Sequence, residues 1–156
     1  MLFRSSIDLA LDRDPWDRRR ITVTDRGGQP SVTRYDRVGT TGGFSLVRLR
    51  LITGRTHQIR VHLAAKGWPI VGDAVYGRKA TSAFASPLRR DRLAFDAEGV
   101  DVARAFSRQA LHAWRLSLRH PTTGKELSIV AALPADMREL LAGLEMPGDI
   151  IARVTS

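Results

Sequence analysis

The chain has 156 residues, 43% of them hydrophobic, and a formal net charge of +9. That suits one domain with a modest core and is too apolar for a disordered tail. Cysteine is absent, which excludes disulfides and thiolate metal sites. Met1-Leu2-Phe3-Arg4 lacks the apolar region of a signal peptide, and no run approaches membrane-spanning length; a cytoplasmic protein without membrane contact is expected. Nearly all the positive charge is arginine, since only Lys66, Lys79 and Lys125 are lysines. Such an excess favours polyanion partners through counterion release, and arginine both forks onto phosphate and stacks on bases.

In chain order, residues 1–20 read as an irregular lead-in, because Asp14-Pro15-Trp16-Asp17-Arg18 interrupts helix and strand alike. Short strands are expected at 21–24, 31–38 and 44–52. Turns at 25–30 and 39–43 would join them into an antiparallel meander. Thr53-Gly54 ends the third strand, and Thr56 suits the N-cap of a helix 56–66 that Gly67 would close. That helix is expected on one face of the sheet. Residues 67–78 form a Gly/Pro-rich loop. Its Asp73 reads as a cap for backbone N–H groups, with a general acid or metal ligand as the sharper option. Arg89-Arg90-Asp91-Arg92 is a charged cluster, solvated or touching phosphates. A short helix at 102–110, a hairpin of 111–118 with 126–132, and a helix 135–144 opened by Pro134 complete the expected elements. Residues 1–145 would form the domain and 146–156 a loose tail.

The stretch from Leu51 to Ala64 carries the chemistry. At about 100° per residue, Gln58, His62 and Lys66 share a polar stripe that reads as a solvated face, whereas Arg60 projects between Leu63 and Ala64 on the inward side. A guanidinium there keeps its charge and needs an anion nearby. Either it forms a structural pair with a carboxylate, or it orients an acidic catalytic group. Other chemistries lack support. His57 and His62 are five apart and lack the His-Glu-x-x-His pattern, His112 and His120 read as structural, and no nucleophile elbow or phosphate-binding Gly loop occurs.

Thr53-Gly54-Arg55-Thr56-His57-Gln58-Ile59-Arg60-Val61-His62-Leu63, followed by Gly67-Trp68-Pro69-Ile70-Val71-Gly72-Asp73 and Tyr76-Gly77, closely resembles the RluA-type RNA pseudouridine synthases. The resemblance continues through Arg108-Gln109-Ala110-Leu111-His112-Ala113, His120-Pro121-Thr122-Thr123-Gly124 and Leu133-Pro134-Ala135-Asp136. It implies an α+β fold, with a mixed, largely antiparallel sheet and packed helices, forming the C-terminal half of that catalytic domain. It also implies isomerisation of uridine to pseudouridine in structured RNA, rRNA or tRNA, without a cofactor. In the family the arginine matching Arg60 pairs with a catalytic aspartate carried in an Arg-Leu-Asp motif. No Arg-Leu-Asp occurs here: Arg92-Leu93 is followed by Ala94, and Asp8 lacks the flanks. The resemblance places Gly54 and Arg55 at the pocket rim, with Thr56, His57, Gln58 and Tyr76 as further substrate or RNA contacts. His57 and Gln58 can equally brace the turn, and Tyr76 can equally anchor its loop. The chain thus reads as half a catalytic domain, alone inactive. It would be completed by an N-terminal half on this or another polypeptide, or would self-associate; a non-catalytic RNA-binding or scaffold module is the alternative. With its partner elsewhere, Arg60→Met would barely change the stability of the isolated chain.

Overall fold

The computed structural model describes residues 5–77 and 97–155; the Arg89–Arg92 cluster lies outside them. The elements run β1 (Ser5–Asp8), β2 (Leu11–Arg13), β3 (Ile21–Val23), β4 (Val32–Thr41), β5 (Phe44–Leu51), α1 (Gln58–Ala65), α2 (Ala97–Ala105), β6 (Arg115–Arg119), β7 (Glu126–Val130), α3 (Ala135–Gly143) and α4 (Gly148–Thr155). Strands pair as β1-β4-β5, β2-β3 and β6-β7, all antiparallel among the described residues. This is the expected α+β class.

The lead-in and the meander are both corrected. Residues 5–13 hold two strands rather than irregular chain, and β3 pairs with β2 instead of β4. Each of these early strands is only three or four residues long and rests on one apolar side chain, Ile7 or Leu11, both buried. One anchor per strand is too little for a period to register. The β4–β5 hairpin closes on Gly42 and Gly43, whose φ angles of 47° and 84° suit the two-residue turn that matches strand twist.

Helix α1 packs its inner face on β3 and β4, with Val61 meeting Leu11, Tyr76, Ile21 and Val23. It begins at Gln58, two residues later than expected, and Thr56 is not its cap. His57 occupies the N-cap position in the left-handed region (φ 54°) with no side-chain cap. Gly67 does end it: the Gly67 and Trp68 N–H groups return to the Ala64 and Leu63 carbonyls, and Gly67 has φ 77°. Helix α2 lies at Ala97–Ala105, upstream of the expected 102–110.

The expected tail is a helix. Met146 is buried with Leu133, Met137 and Leu141, and Ile150, Ile151 and Val154 of α4 pack against the same cluster. A Cβ on Gly39, at the bulge of β4, would come within 2.8 Å of Ile150, so α4 sits directly on that strand. Ile150, Ile151 and Val154 share one face of this short helix, and their packing supplies its stability.

Candidate functional site

The turn between β5 and α1 is held from beneath by Gln58, which is 2% exposed. Its Oε1 accepts from the Thr53 hydroxyl (2.9 Å) and the Arg55 N–H (3.0 Å). Its Nε2 donates to the Val32 carbonyl (3.1 Å) and to Thr33 Oγ1 (3.0 Å). All four hydrogen-bonding positions of the amide are thus filled. Gln58 therefore braces the turn. The chain of bonds continues inward. Thr33 donates to His62 Nδ1 (3.0 Å), and His62 Nε2 donates to the Leu9 carbonyl (3.1 Å). That carbonyl can only accept, which places a proton on Nε2. Burial holds the His62 pKa below its ordinary 6.5, opposed by the Leu9 carbonyl and by Asp8. The solvated stripe read from Gln58 and His62 is therefore wrong: both are buried, and only Lys66 of the three is exposed.

Arg60 meets Asp73, thirteen residues on, in a two-pronged pair. Nε donates to Oδ2 and Nη2 to Oδ1, both at 2.8 Å. The carboxylate is 1% exposed and the guanidinium side chain 13%. Asp73 Oδ1 also accepts the Val75 and Tyr76 N–H groups at 3.0 Å, so the capping role expected of Asp73 is present and a second role is added. Burial by itself would raise the Asp73 pKa, but Arg60 and these two N–H groups outweigh it and hold it low. The same pair raises Arg60. Of the two sources of an anion weighed for Arg60, the structural carboxylate is therefore present within this chain. Nη1 makes no hydrogen bond among the described residues, which leaves one edge of the fork open.

Tyr76 anchors the loop. Its ring is buried and lies under two guanidinium groups, Arg60 at 4.9 Å and Arg20 at 5.5 Å. Its hydroxyl accepts the Ile21 N–H and shares a hydrogen bond with His57 Nδ1, each at 3.0 Å. In this arrangement the Tyr76 ring and hydroxyl hold the loop to β3 and α1. Burial lowers the His57 pKa below its ordinary 6.5 first and Arg60 adds to that, against Asp73. The left-handed backbone at His57 aims its ring at Tyr76, the kind of strained residue that surrounding contacts must over-determine. Gly54, Arg55 and Thr56 lie exposed at the rim, and a Cβ on Gly54 would meet no atom within 4 Å. The loop itself is fastened from outside. Gly72 (φ 72°) sits so close to the Arg108 carbonyl that a Cβ there would collide with it, and the Ala110 N–H bonds the Val71 carbonyl at 2.8 Å.

The corner thus joins His57, Arg60, Asp73, Tyr76 and Arg20. Sequence reasoning supplied the first four singly but missed that Asp73 is the anion of Arg60, and missed Arg20 altogether. The first was inferable from an inward arginine followed by a buried-loop carboxylate; the second left no signal in the lead-in. Among the described residues no cluster of His, Cys, Asp or Glu could hold a metal, and no helix is long and apolar enough to cross a membrane.

Comparison with known proteins bears on this geometry. A family model described as RNA pseudouridylate synthase matches residues 3–65. An uncharacterized RNA pseudouridine synthase of Chloroflexus aurantiacus is 42% identical over 90% of this chain and 37% of its own length. Ribosomal large subunit pseudouridine synthase D of Haemophilus ducreyi is 40% identical over 89% of this chain and 40% of its own. Among solved structures, human RNA pseudouridylate synthase domain-containing protein 4 superposes with a TM-score of 0.62 at 26% identity, covering 91% of this chain and 56% of that one. The chain therefore spans about two fifths of the bacterial relatives and just over half of the human structure.

Proposed function

This chain belongs to the RNA pseudouridine synthase family, and from that membership we propose that it supplies the arginine-bearing part of a site that isomerises uridine to pseudouridine in structured RNA, rRNA or tRNA. The observation that carries the reading is Arg60: two of its nitrogens are clamped by Asp73, and Nη1 makes no hydrogen bond among the described residues, on a helix whose entry turn leaves Gly54, Arg55 and Thr56 exposed. A guanidinium immobilised on one edge is pre-organised to hold a second carboxylate on the other, at little further entropic cost. The catalytic aspartate that the family carries in Arg-Leu-Asp would take that edge. It would stay ionised beside Arg60 while the target base, drawn out of its stack, is detached, turned and rejoined through carbon. No cofactor enters this scheme. Work on RNA in the cytoplasm fits the relatives named for the large ribosomal subunit.

These 156 residues contain no Arg-Leu-Asp, and we place the aspartate outside them, on this or another polypeptide. The β6–β7 hairpin supports the existence of such a partner. Leu116, Leu118, Leu127 and Ile129 share one face of it by register, and all four are exposed. A lone two-stranded hairpin with an open apolar face is marginal in water, and an uncovered face of that kind invites association. We assign its cover to the remainder of the synthase domain, with self-association of this chain as the competing outcome.

The test is complementation. The purified chain is incubated with unmodified ribosomal and transfer RNA, alone and with a polypeptide containing the Arg-Leu-Asp region of a homologous synthase. Pseudouridine is then assayed chemically. No turnover alone and turnover in the mixture are expected. Multiple turnover by the chain alone would overturn the division of the site. RNA binding with no turnover in a mixture that forms a stable complex would favour the non-catalytic RNA-binding module.

A further inference from the structure

The face of the β1-β4-β5 sheet turned away from α1 carries a second feature. Residues opposed across an antiparallel pair share a face. Ile7 and Thr33, opposed in β1 and β4, are buried on the α1 side, where Thr33 bonds Gln58 and His62. Arg34 and Arg50 are therefore on the other side, directly opposed in β4 and β5, as are Asp36 and Arg48 one step along. Arg34 and Arg50 are exposed, and neither side chain enters an ion pair or hydrogen bond among the described residues. Like charges directly opposed across a sheet are destabilising, so nothing in the folding of this hairpin calls for that pair. Next along the strip, the Trp114 ring carries two guanidinium groups, Arg48 at 5.1 Å and Arg115 at 4.5 Å. Arg115 alternates with Leu116 on β6, so it lies on the hairpin face opposite the apolar one. The acids on this sheet face are Asp36 and Asp8.

We infer that Arg34, Arg50 and Arg115, the last stiffened on Trp114, form a strip that binds the sugar–phosphate backbone of RNA on the sheet face opposite helix α1, away from the Arg60 corner. The inference rests on the RNA reading above and adds where a flanking part of the substrate is held. Guanidinium stacking on an aromatic ring limits side-chain freedom without using the N–H fork, so Arg115 can meet phosphate with less entropy lost. The opposed Arg34–Arg50 pair loses its mutual repulsion once an anion lies between. Such contacts position RNA without reading its sequence.

The experiment measures binding of a ribosomal RNA stem–loop by the intact chain and by the Arg34→Gln/Arg50→Gln double variant across salt concentrations, with thermal melts of both. The double variant is expected to melt no lower than the wild type, because a repulsive pair is removed. Its plot of log affinity against log salt should be shallower by about 1.5, so that the loss between about 50 and about 200 mM salt is about eightfold smaller. Trp114→Ala should weaken binding less. A double variant with the wild-type slope and affinity overturns the inference. So does equal displacement of the RNA by polyglutamate at matched charge, which would show that phosphate is not what the strip selects. A wild-type chain that binds no RNA at about 50 mM salt overturns it too, while turnover in the complementation assay would still uphold the proposed reaction.

Discussion

Helix α1 and the β6–β7 hairpin invert the usual placing of polar and apolar side chains. Under α1, a glutamine and a histidine are sealed in the interior; on the hairpin, Leu116 and Ile129 are each 56% exposed. The first arrangement is stable because every donor and acceptor of Gln58, Thr33 and His62 finds a partner, and a fully satisfied buried network fixes one geometry. The second is unfinished. The contrast teaches which parts of this chain hold themselves up: the turn that presents Arg60 is complete within residues 5–77, whereas the hairpin has apolar surface still to bury.

The largest expected effect is at the charged pair. Arg60→Met leaves the Asp73 carboxylate buried without its cation, and we expect a loss of about 3–5 kcal/mol in urea unfolding, the scale for breaking a buried pair from one side. This reverses the expectation from sequence, in which the partner lay elsewhere. A melt unchanged from wild type would show that Asp73 is not the partner in solution. Next comes the network. Gln58→Leu strands the Arg55 N–H, while the Val32 carbonyl keeps the Ile52 N–H, for a loss of about 1–3 kcal/mol for the one group left unpaired. If Gln58→Leu proves neutral, the turn is braced by other contacts.

Neither feature was legible as such in the sequence, for different reasons. Gln58, His62 and Lys66 share a helical stripe, and polar residues at that spacing look solvated until Thr33, Val32 and Leu9 are known to lie beneath them. Those partners come from β4 and from the link after β1, where strands rest on single anchors. By contrast, Arg60 pointed inward by its position between Leu63 and Ala64, and Gly67 closed α1 as a glycine in a left-handed cap should. The pairing of β5 with β4, and of β6 with β7, followed from alternation and Gly turns. The α4 helix did not: Ile150, Ile151 and Val154 do mark one helical face, but a helix of 8 residues is marginal until packing on β4 supports it.

A smaller effect should appear in acid. The folded pKa of His62 lies below 6.5, so the unfolded chain takes up its proton first as pH falls. Its contribution is whole above pH 6.5 and declines below that value until the folded chain protonates as well; His57 acts in the same direction. Asp73, held below 3.8, adds stability that is lost only at more acid pH, as pH falls through its folded pKa. Urea midpoints should therefore drop between neutrality and the acid side of 6.5, and His62→Gln should flatten that part of the curve. A flat wild-type curve there would mean that the imidazoles are not buried neutral. The smallest effect on stability belongs to the hairpin. Leu116→Ser with Ile129→Ser should shift unfolding by about 0.5 kcal/mol or less, since exposed side chains lose little. Sedimentation should show less self-association, or weaker capture of the Arg-Leu-Asp polypeptide. A large loss of stability would mean that the face is already covered within the chain.

The most direct measurement is pseudouridine formation by the complemented enzyme carrying Arg60→Lys, with complex formation checked alongside. Lysine keeps the charge and can reach one carboxylate, but it lacks the fork that would serve Asp73 and an incoming aspartate together. The account predicts a complex that still assembles and binds RNA while turnover falls by orders of magnitude. Turnover at the wild-type rate would contradict it, because the open edge of Arg60 would then have no part in the reaction.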